Sequence, residues 1–491
     1  MTQHLPILQV VLPLLAAPLC LLINSRNVAW MLAALAALGS FACAALLLGQ
    51  VAGGDEISYA LGGWAAPFGI EYRVDAVNAI LLVLVSGAAA VMLLLGRASA
   101  RLEIAPEAEP LFYCMFSLNI AGLMGMAVTN DIFNLFVFLE ISSLSTYALV
   151  SLGRGRKALT AAFRYLVIGT VGATFYVIGV GLLYMMTGSL NITDLAGRLP
   201  AVEDSSTVRT ALAFMVVGIG VKLGMMPLHF WLPDAYTRAP SLVSAFVAAT
   251  ATKVAIYVML RIVFTLFGTD LFLGTGLAAI VFALGLVAMF LASLTAIFQT
   301  EAKRMLAWSS LAQVGYILAG LSLCTVQGVS AAILHVFNHG LMKAALFMAL
   351  AGVAARIGST RIADMAGLGR TMPLTMAAFV IGGLSLIGLP LTVGLISKWY
   401  LIAAALALDY WWLALLILAS SGLAVIYIWR VVETAYFREP PAGRAEVREA
   451  PASLLAAIWL LVTANVWFGV HAEMTGALAT QAARFLLGGA S

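Results

Sequence analysis

The chain has 491 residues, of which 63% are hydrophobic and 10% are charged, and its formal net charge is +4. A soluble domain with this composition could not cover its surface with polar groups, so the composition excludes one. A helix that spans a bilayer needs about 20 apolar residues, and segments of that kind fill most of the chain. We therefore expect one all-α polytopic membrane unit.

The first apolar segment lies at the N-terminus and could belong to a signal peptide or to a spanning helix. It lacks a positively charged start and a small-residue cleavage site, so we predict a span. Polar breaks divide the rest of the apolar sequence into further spans, about 14 in total. Their predicted bounds are 6–24, 28–50, 74–96, 110–129, 131–152, 163–187, 209–238, 241–265, 272–298, 302–323, 328–352, 373–408, 411–437 and 452–474.

The basic residues of the loops divide unequally between the two sides of the predicted bundle. Fifteen fall on one side: Arg26, Arg97, Arg101, Arg154, Arg156, Lys157, Arg238, Lys303, Arg304, Arg356, Arg361, Arg370, Arg438, Arg444 and Arg448. The other side carries only Arg73, Arg198, Arg209 and Arg484. Loops rich in lysine and arginine stay in the cytoplasm, so the asymmetry predicts that both termini lie outside.

A few ionisable residues fall inside the predicted spans, where each charge at a helix centre costs about 2.5–3.5 kcal/mol. Such residues usually face a bundle interior or a water-filled cavity and mark a functional path. Arg164, Arg261 and Arg430 lie near helix ends, where a long side chain can reach the interface instead. The residues that remain inside are Glu140, Lys222, Lys253, His335, His339, Lys343 and Lys398.

Glu140 lies in the fifth predicted span, with no charged residue in the eight positions before it. A rise of 1.5 Å per residue places it roughly 13 Å from Asp131 and roughly 21 Å from Arg154, near the midplane. A structural ion pair that only fixes helix register is one explanation. One carboxylate cannot neutralise four lysines, however, and a buried lysine readily loses its proton. Groups that pass between charged and neutral forms are what a proton path needs.

The sequence HVFNHGLMK places His335, His339 and Lys343 at positions i, i+4 and i+8, on one face of the eleventh helix. Three explanations are open: a proton relay, which suits the near-neutral pKa of histidine, structural polar packing, and a metal site. Position 336 is valine, so this is no HExxH motif, and no Asp, Glu or Cys completes a ligand shell. The pattern favours the relay. The nearby polar patch SSLAQVG, 309–315, either hydrates a path or bonds a neighbouring helix.

The seventh and twelfth predicted spans, VKLGMMPLHFWLPDAYTRAP and LSLIGLPLTVGLISKWY, contain residues that interrupt a helix. These are Pro227 in the first and Gly388, Pro390 and Gly394 in the second. Non-helical backbone at membrane depth survives only inside protein or beside water. Breaks in spans five apart, each near a lysine, predict two inverted five-helix repeats of a transporter. Kinks that serve only packing are the alternative.

Residues that would hold a cofactor or catalyse a reaction are missing from the sequence. The four cysteines stand singly in apolar segments, and there is no CxxC pair, Rossmann fingerprint or haem-binding pair. A paired-aspartate, Ser/His or HExxH site for an intramembrane enzyme is missing too. We therefore expect a transporter subunit with no cofactor, no metal and no catalytic residue, so that any electron transfer belongs to partners.

Three segments resemble one known family: KLGMMPLHFWLPDAYTRAPSLVSAFVAATATK, LHVFNHGLMKAALF and LFVFLEISSLSTYALV. They are similar to the antiporter-like membrane subunits shared by respiratory complex I, membrane-bound hydrogenases and Mrp-type sodium/proton antiporters, and the resemblance covers nearly the whole chain. It implies 14 core helices with inverted repeats formed by helices 4–8 and 9–13. The proton path that it implies consists of Glu140, Lys222, Lys253, His335, His339, Lys343 and Lys398.

The resemblance divides the chain into helices 1–3 (1–108), a first repeat (109–265), a second repeat (266–437) and a cytoplasmic linker with helix 14 (438–491). PLHFWLPDAY, with Tyr236, is similar to the D-type members of the multi-subunit Mrp antiporters. This implies a proton-translocating subunit of a sodium/proton antiporter in a bacterial or archaeal plasma membrane, with other membrane subunits and lipid as partners and no nucleic acid. The alternative is a proton-pumping subunit of complex I or of a hydrogenase.

Lys222 lies two spans after Glu140, and we expect it to neutralise that carboxylate. Separation of the two would gate charge transfer along Lys253, the histidine face and Lys398. A sodium site needs several hard oxygen ligands, whereas the ionisable residues assigned to the membrane interior are one carboxylate, four lysines and two histidines. We therefore expect protons to pass through this chain and sodium to cross elsewhere. The runner-up is a cation entrance at the start of helix 5, formed by Asp131, Asn130 and Asn134.

Overall fold

The computed structural model describes residues 2–441 and 447–488, which are mostly helical. In chain order the helices are α1 (Leu5–Ile23), α2 (Arg26–Val51), α3 (Ala76–Leu95), α4 (Arg97–Glu103), α5 (Glu109–Val128), α6 (Ile132–Ser151), α7 (Arg156–Thr187), α8 (Ile192–Arg198), α9 (Ser206–Leu223), α10 (Trp231–Arg238), α11 (Ser241–Leu260), α12 (Gly268–Gly274), α13 (Leu277–Ile297), α14 (Ala302–Ser322), α15 (Val326–Ile357), α16 (Leu368–Thr371), α17 (Pro373–Ile387), α18 (Val393–Ala407), α19 (Trp411–Phe437), α20 (Ala452–Val470) and α21 (Ala472–Leu486). A π-helical turn, Arg261–Leu266, extends α11.

The helix lengths agree with the predicted spans. Among the described residues, thirteen helices are long and apolar enough to cross a membrane. The short helices α17 and α18 together make one further, interrupted span, so the prediction of about 14 spans is confirmed. The seventh span is likewise interrupted, between α9 and α10. Within the predicted cytoplasmic linker, Arg444 lies outside the described residues.

Two elements differ from the sequence-based expectation. The loop between α2 and α3 forms an antiparallel hairpin of β1 (Ile57–Ala60) and β2 (Glu71–Val74), which an all-α prediction misses. After the last span, the chain continues as α21, which packs against α3 and α15. One face of α21 is buried and the other is exposed. Because the helix is amphipathic, it does not stand out in the sequence as a uniformly apolar segment.

The centre of the bundle is formed by α11 and α14. In their most apolar windows, 94% of the residues are buried, against 39% in the peripheral helices α7, α13 and α19. The long helix α15 packs against both central helices. Because α11 and α15 carry Lys253, His335, His339 and Lys343, four of the predicted site residues lie in the interior of the protein.

In both interrupted spans the first half-helix ends at a glycine in a left-handed conformation. Gly224 follows α9 with φ of +78°, and Gly388 follows α17 with φ of +98°. This conformation disfavours residues with a β-carbon. Pro227 and Pro390 follow within the breaks. Proline lacks an amide N–H, but no helical hydrogen bond is required at these positions. Gly394 lies in the first turn of α18, where a β-carbon would stand 1.7 Å from a backbone oxygen of α17.

One backbone pairing occurs twice along the chain. Asp131, before α6, pairs with Asn191, after α7, and Glu301, before α14, pairs with Arg361, after α15. In each case the start of one span is tied to the chain that follows the next span. The two pairings join the fifth and sixth spans and the tenth and eleventh, so they recur five spans apart. The two inverted five-helix repeats stay a prediction.

Candidate functional site

The residues predicted to form the proton path lie inside the bundle, with one exception. Glu140 is half-buried, and the others are buried: Lys222, Lys253, His335, His339, Lys343 and Lys398. Among the described residues, none of the four lysines forms an ion pair with a carboxylate. Each ammonium group is instead held by hydroxyl or carbonyl oxygens, so no ion pair fixes these lysines in the charged form.

Lys222 stands in the last turn of α9 and reaches towards α6. Its Nζ donates to Ser143 Oγ at 2.7 Å and to Tyr147 OH at 3.2 Å. Glu140 lies one turn before Ser143 on the same helix, but its Oε1 atom is buried with no hydrogen-bond partner among the described residues. The expected ion pair between Lys222 and Glu140 is therefore not formed in this structure. Lys222 is held instead by two hydroxyls of the helix that carries the carboxylate.

Glu140 borders a face of α6 that the chain itself leaves uncovered. Phe133, Val137 and Leu144 are 46%, 39% and 54% exposed, and they recur at helical spacing along that face. In a membrane this face meets lipid or another subunit. The half-buried carboxylate of Glu140, at the edge of this face, is therefore accessible to lipid or to another subunit.

Lys398 bridges the break in the twelfth span. Its Nζ donates to the carbonyl oxygens of Leu386 and Ile387, at 3.0 and 2.9 Å, and to Ser421 Oγ at 2.9 Å. The last carbonyls of a helix lack partners within the helix and carry partial negative charge, so a cation is favoured there. Lys398 thus caps α17 from the following half-helix. Gly388 leaves room, because a β-carbon there would lie 3.2 Å from Lys398 Cδ.

The histidines of α15 connect three helices. His335 Nδ1 lies 2.7 Å from Ser397 Oγ of α18, and its Nε2 lies 2.8 Å from Gln313 Oε1 of α14. The His339 ring is one turn further, with the two ring centroids 6.0 Å apart. Neither nitrogen of His339 has a hydrogen-bond partner among the described residues. The predicted common face of α15 is therefore present, and it is packed against α14 and α18.

Lys343 and Lys253 are the most deeply placed cations. Lys343 Nζ donates to Leu306 O at 2.8 Å and to Ser309 Oγ, both on α14. Lys253 Nζ donates to Ala248 O and, at 3.3 Å, to a threonine hydroxyl of its own helix. Both side chains are fully buried. The polar patch of α14 therefore supplies acceptors to Lys343 and His335, which fits both interpretations of that patch.

The oxygen-rich segment before α6 has structural roles. Asp131 caps the helix, because its Oδ1 accepts from the amides of Phe133 and Asn134, at 2.9 and 2.7 Å. Asn130 Nδ2 donates to Glu71 Oε2 of the hairpin at 2.8 Å. The cation entrance at this segment stays a prediction, and its groups already hold the hairpin and α6 together.

One predicted position is wrong. The sequence places Arg261 where its side chain could extend to the membrane interface, whereas the structure buries it and pairs its guanidinium with Asp75. Its Nε also donates to Tyr257 OH at 2.9 Å. Asp75 lies 186 positions earlier and caps α3. No local sequence pattern connects residues this far apart, so the pair could not be found from the sequence.

Comparison with known proteins gives one family. Residues 129–424 match the family described as "NADH:quinone oxidoreductase/Mrp antiporter, TM". The N subunit of the NADH-quinone oxidoreductase of Desulforudis audaxviator is 42% identical, over 96% of this chain and 97% of that protein. The D subunit of the Na(+)/H(+) antiporter of Bacillus subtilis is 30% identical, over 98% of this chain and 97% of that protein. A chain of the membrane-bound sulfane sulfur reductase, an archaeal respiratory membrane complex, has a TM-score of 0.90 and 30% identity, covering 99% of this chain and 98% of its own.

Proposed function

Because this chain belongs to the family of NADH:quinone oxidoreductase and Mrp antiporter membrane subunits, we propose that it is the proton-conducting subunit of a larger membrane complex. The observation that carries the proposal is the row of buried lysines and histidines, none of which forms an ion pair with a carboxylate among the described residues. A charged group in the membrane interior is costly and is retained mainly for transport or proton relay. Redox chemistry, where the complex has any, belongs to its partners.

The path that we propose begins at Glu140 and Lys222 and ends at Lys398. Lys253 lies close enough to His339 and Lys343 for electrostatic interaction with both. Charge on one of these groups repels charge on the next, because the interior has a low dielectric constant. A proton that arrives at one group therefore promotes release from its neighbour, and conduction can proceed along the row towards Lys398.

Two assemblies could use such a protein. The 42% identity with a membrane subunit of an NADH-quinone oxidoreductase favours a redox-driven proton pump. The resemblance of PLHFWLPDAY to the D-type members and the 30% identity with a sodium/proton antiporter protein favour an antiporter. We propose the redox-driven complex first and the antiporter, which the sequence alone favours, second. Affinity purification of the tagged chain separates them by the subunits that are recovered with it.

In either assembly we propose that this chain carries protons and that sodium, where it is transported, crosses elsewhere. Two further carboxylates near the ends of spans are already neutralised, since Asp75 pairs with Arg261 and Glu109 with Arg26. At the centres of the spans, Glu140 is the one carboxylate among the described residues, and lysines offer donors only. Sodium needs several oxygen ligands, and the oxygens that converge around Lys222, Lys343 and Lys398 already hold an ammonium group.

The experiment that tests the proposed function is proton transport by the complete complex in inverted membrane vesicles. Glu140→Gln and Lys222→Ala should abolish transport while the complex still assembles, since each removes one end of the gate. Arg438→Ala, an exposed residue after α19, is the matched control and should transport normally. Full transport by both gate variants would contradict the proposed function.

A further inference from the structure

The partners of Lys222 lie on the same face of α6 as Glu140. Glu140, Ser143 and Tyr147 stand at positions i, i+3 and i+7, which follow one another along a helix. Lys222 is bound to the two hydroxyls at the far end of this row, 2.7 and 3.2 Å away, and its Nζ lies 5.7 Å from the centre of the Tyr147 ring. The ammonium group therefore has two alternative sites on α6, a pair of hydroxyls and a carboxylate.

The neighbouring helix α7 leaves space for these hydroxyls at one glycine. A β-carbon at Gly169 would lie 1.9 Å from Tyr147 OH and 3.4 Å from Lys222 Nζ. Any side chain there would push the tyrosine away from the lysine. Gly181, on the same helix, has open space around it. At Gly169 the close approach is to the Tyr147 hydroxyl and Lys222, whereas at Gly172 and Gly179 it is to residues of α9.

Aromatic contacts tie Tyr147 to the break in the seventh span. The rings of Tyr147 and Tyr165 are 4.5 Å apart, and Tyr165 stacks on Trp231 of α10 at 3.9 Å. Trp231 Nε1 donates to the carbonyl oxygen of Val221, next to Lys222, at 2.8 Å. The contacts thus close a ring that leaves α9, crosses α6 and α7, and returns to α9 through α10. A shift of α10 relative to α9 would move Tyr147.

We propose that Ser143 and Tyr147 form a hydroxyl seat that holds Lys222 away from Glu140, and that Gly169 is required for that seat. The proposal rests on the proposed function and adds positioning residues to it. Lys222 alternates between the seat and Glu140, and the aromatic ring through Trp231 couples the choice to the geometry of the break. Hydrogen bonds to a charged group are among the stronger ones in proteins, so the two hydroxyls compete with Glu140 for the ammonium group of Lys222. When either hydroxyl is removed, Lys222 shifts towards the carboxylate.

The test combines proton transport by the complete complex with infrared spectroscopy of the purified complex. The carboxylate stretching band of Glu140 is identified by its loss in Glu140→Gln. Ser143→Ala and Tyr147→Phe should each slow transport about tenfold and shift that band, because Lys222 then pairs with Glu140. Ser143→Thr keeps the hydroxyl and should restore both signals. Gly169→Ala should behave like Tyr147→Phe, whereas Gly181→Ala and the exposed Tyr184→Phe should match the wild type.

The outcomes separate the seat from the path. Wild-type transport and an unchanged Glu140 band in both Ser143→Ala and Tyr147→Phe would overturn the seat and leave the proposed function standing, provided that Lys222→Ala is inactive. Slower transport with an unchanged band would show that the two hydroxyls only support packing, and it would also overturn the seat. If Gly169→Ala does not assemble, the two hydroxyl variants decide the question alone.

Discussion

His339 provides a prediction in which stability and transport change in opposite directions. Both ring nitrogens are buried and have no hydrogen-bond partner among the described residues. A buried polar atom without a partner costs about 1–3 kcal/mol. Leucine has a similar volume and no polar atom, so His339→Leu should raise the thermal stability of the complex. The same substitution removes a titratable group from the middle of the proposed path, so proton transport should be lost.

His335 is the matched comparison, one turn earlier on α15. Its two nitrogens are paired with Ser397 and Gln313, at 2.7 and 2.8 Å. His335→Leu leaves both of these buried partners without a bond at the histidine, and each loss costs about 1–3 kcal/mol. We therefore expect His335→Leu to lower the apparent melting temperature, whereas His339→Leu raises it. Transport should fail in both variants.

The assay measures the apparent melting temperature and the proton flux of each purified complex under one set of conditions. Only the sign of the temperature change is compared, because a multisubunit membrane complex does not unfold in two states. Equal destabilisation by the two substitutions would refute the assignment of His339 as an unpaired group. Normal transport by His339→Leu would remove this residue from the path.

Three further predictions concern other parts of the molecule. Lys398→Ala should slow proton transport severalfold, whereas Arg438→Ala should not, and equal loss in both would indicate general damage to the fold. Burial raises the pKa of Glu71, but hydrogen bonds to its carboxylate outweigh burial and hold that pKa below its ordinary value of 4.5. The carboxylate therefore stabilises the fold above pH 4.5, and this contribution is lost as the pH falls through the lowered pKa. Melting curves of Glu71→Gln should accordingly show a weaker acid dependence than those of the wild type. Arg261→Met should destabilise the protein by about 3–5 kcal/mol, because it leaves the buried Asp75 carboxyl group without its ion-pair partner. Addition of Asp75→Asn should recover much of the loss, and no recovery would contradict the ion pair.

The spans were predictable because an apolar segment of sufficient length has few alternatives to a membrane helix. The interruptions in the seventh and twelfth spans were predictable for a related reason, since Pro227 and the glycine and proline at 388 and 390 cannot continue a helix. The hairpin before α3 and the helix α21 were missed. Their short or amphipathic sequences resemble ordinary loops when only apolar length is considered.

The site was predictable in composition but not in its contacts. Charged residues at membrane depth can be recognised as functional candidates from the sequence, because their burial is costly and they are therefore rare. Their partners do not: the hydroxyls that hold Lys222 come from α6, 75 and 79 positions earlier, and serine and tyrosine are common in spans. Sequence reasoning therefore paired Lys222 with Glu140, the one visible carboxylate. It had no signal for Tyr147 or for the space that Gly169 leaves beside it.

The most direct test of the central claim is proton translocation by the complete complex with Lys253 replaced by methionine. Lys253 is fully buried in the central helix α11 and forms no ion pair among the described residues, so the substitution removes an ionisable group without leaving a charged partner behind. We expect the Lys253→Met complex to assemble at wild-type levels and to have lost proton translocation in sealed vesicles. Wild-type proton translocation by the assembled variant would contradict a path through the buried lysines and histidines.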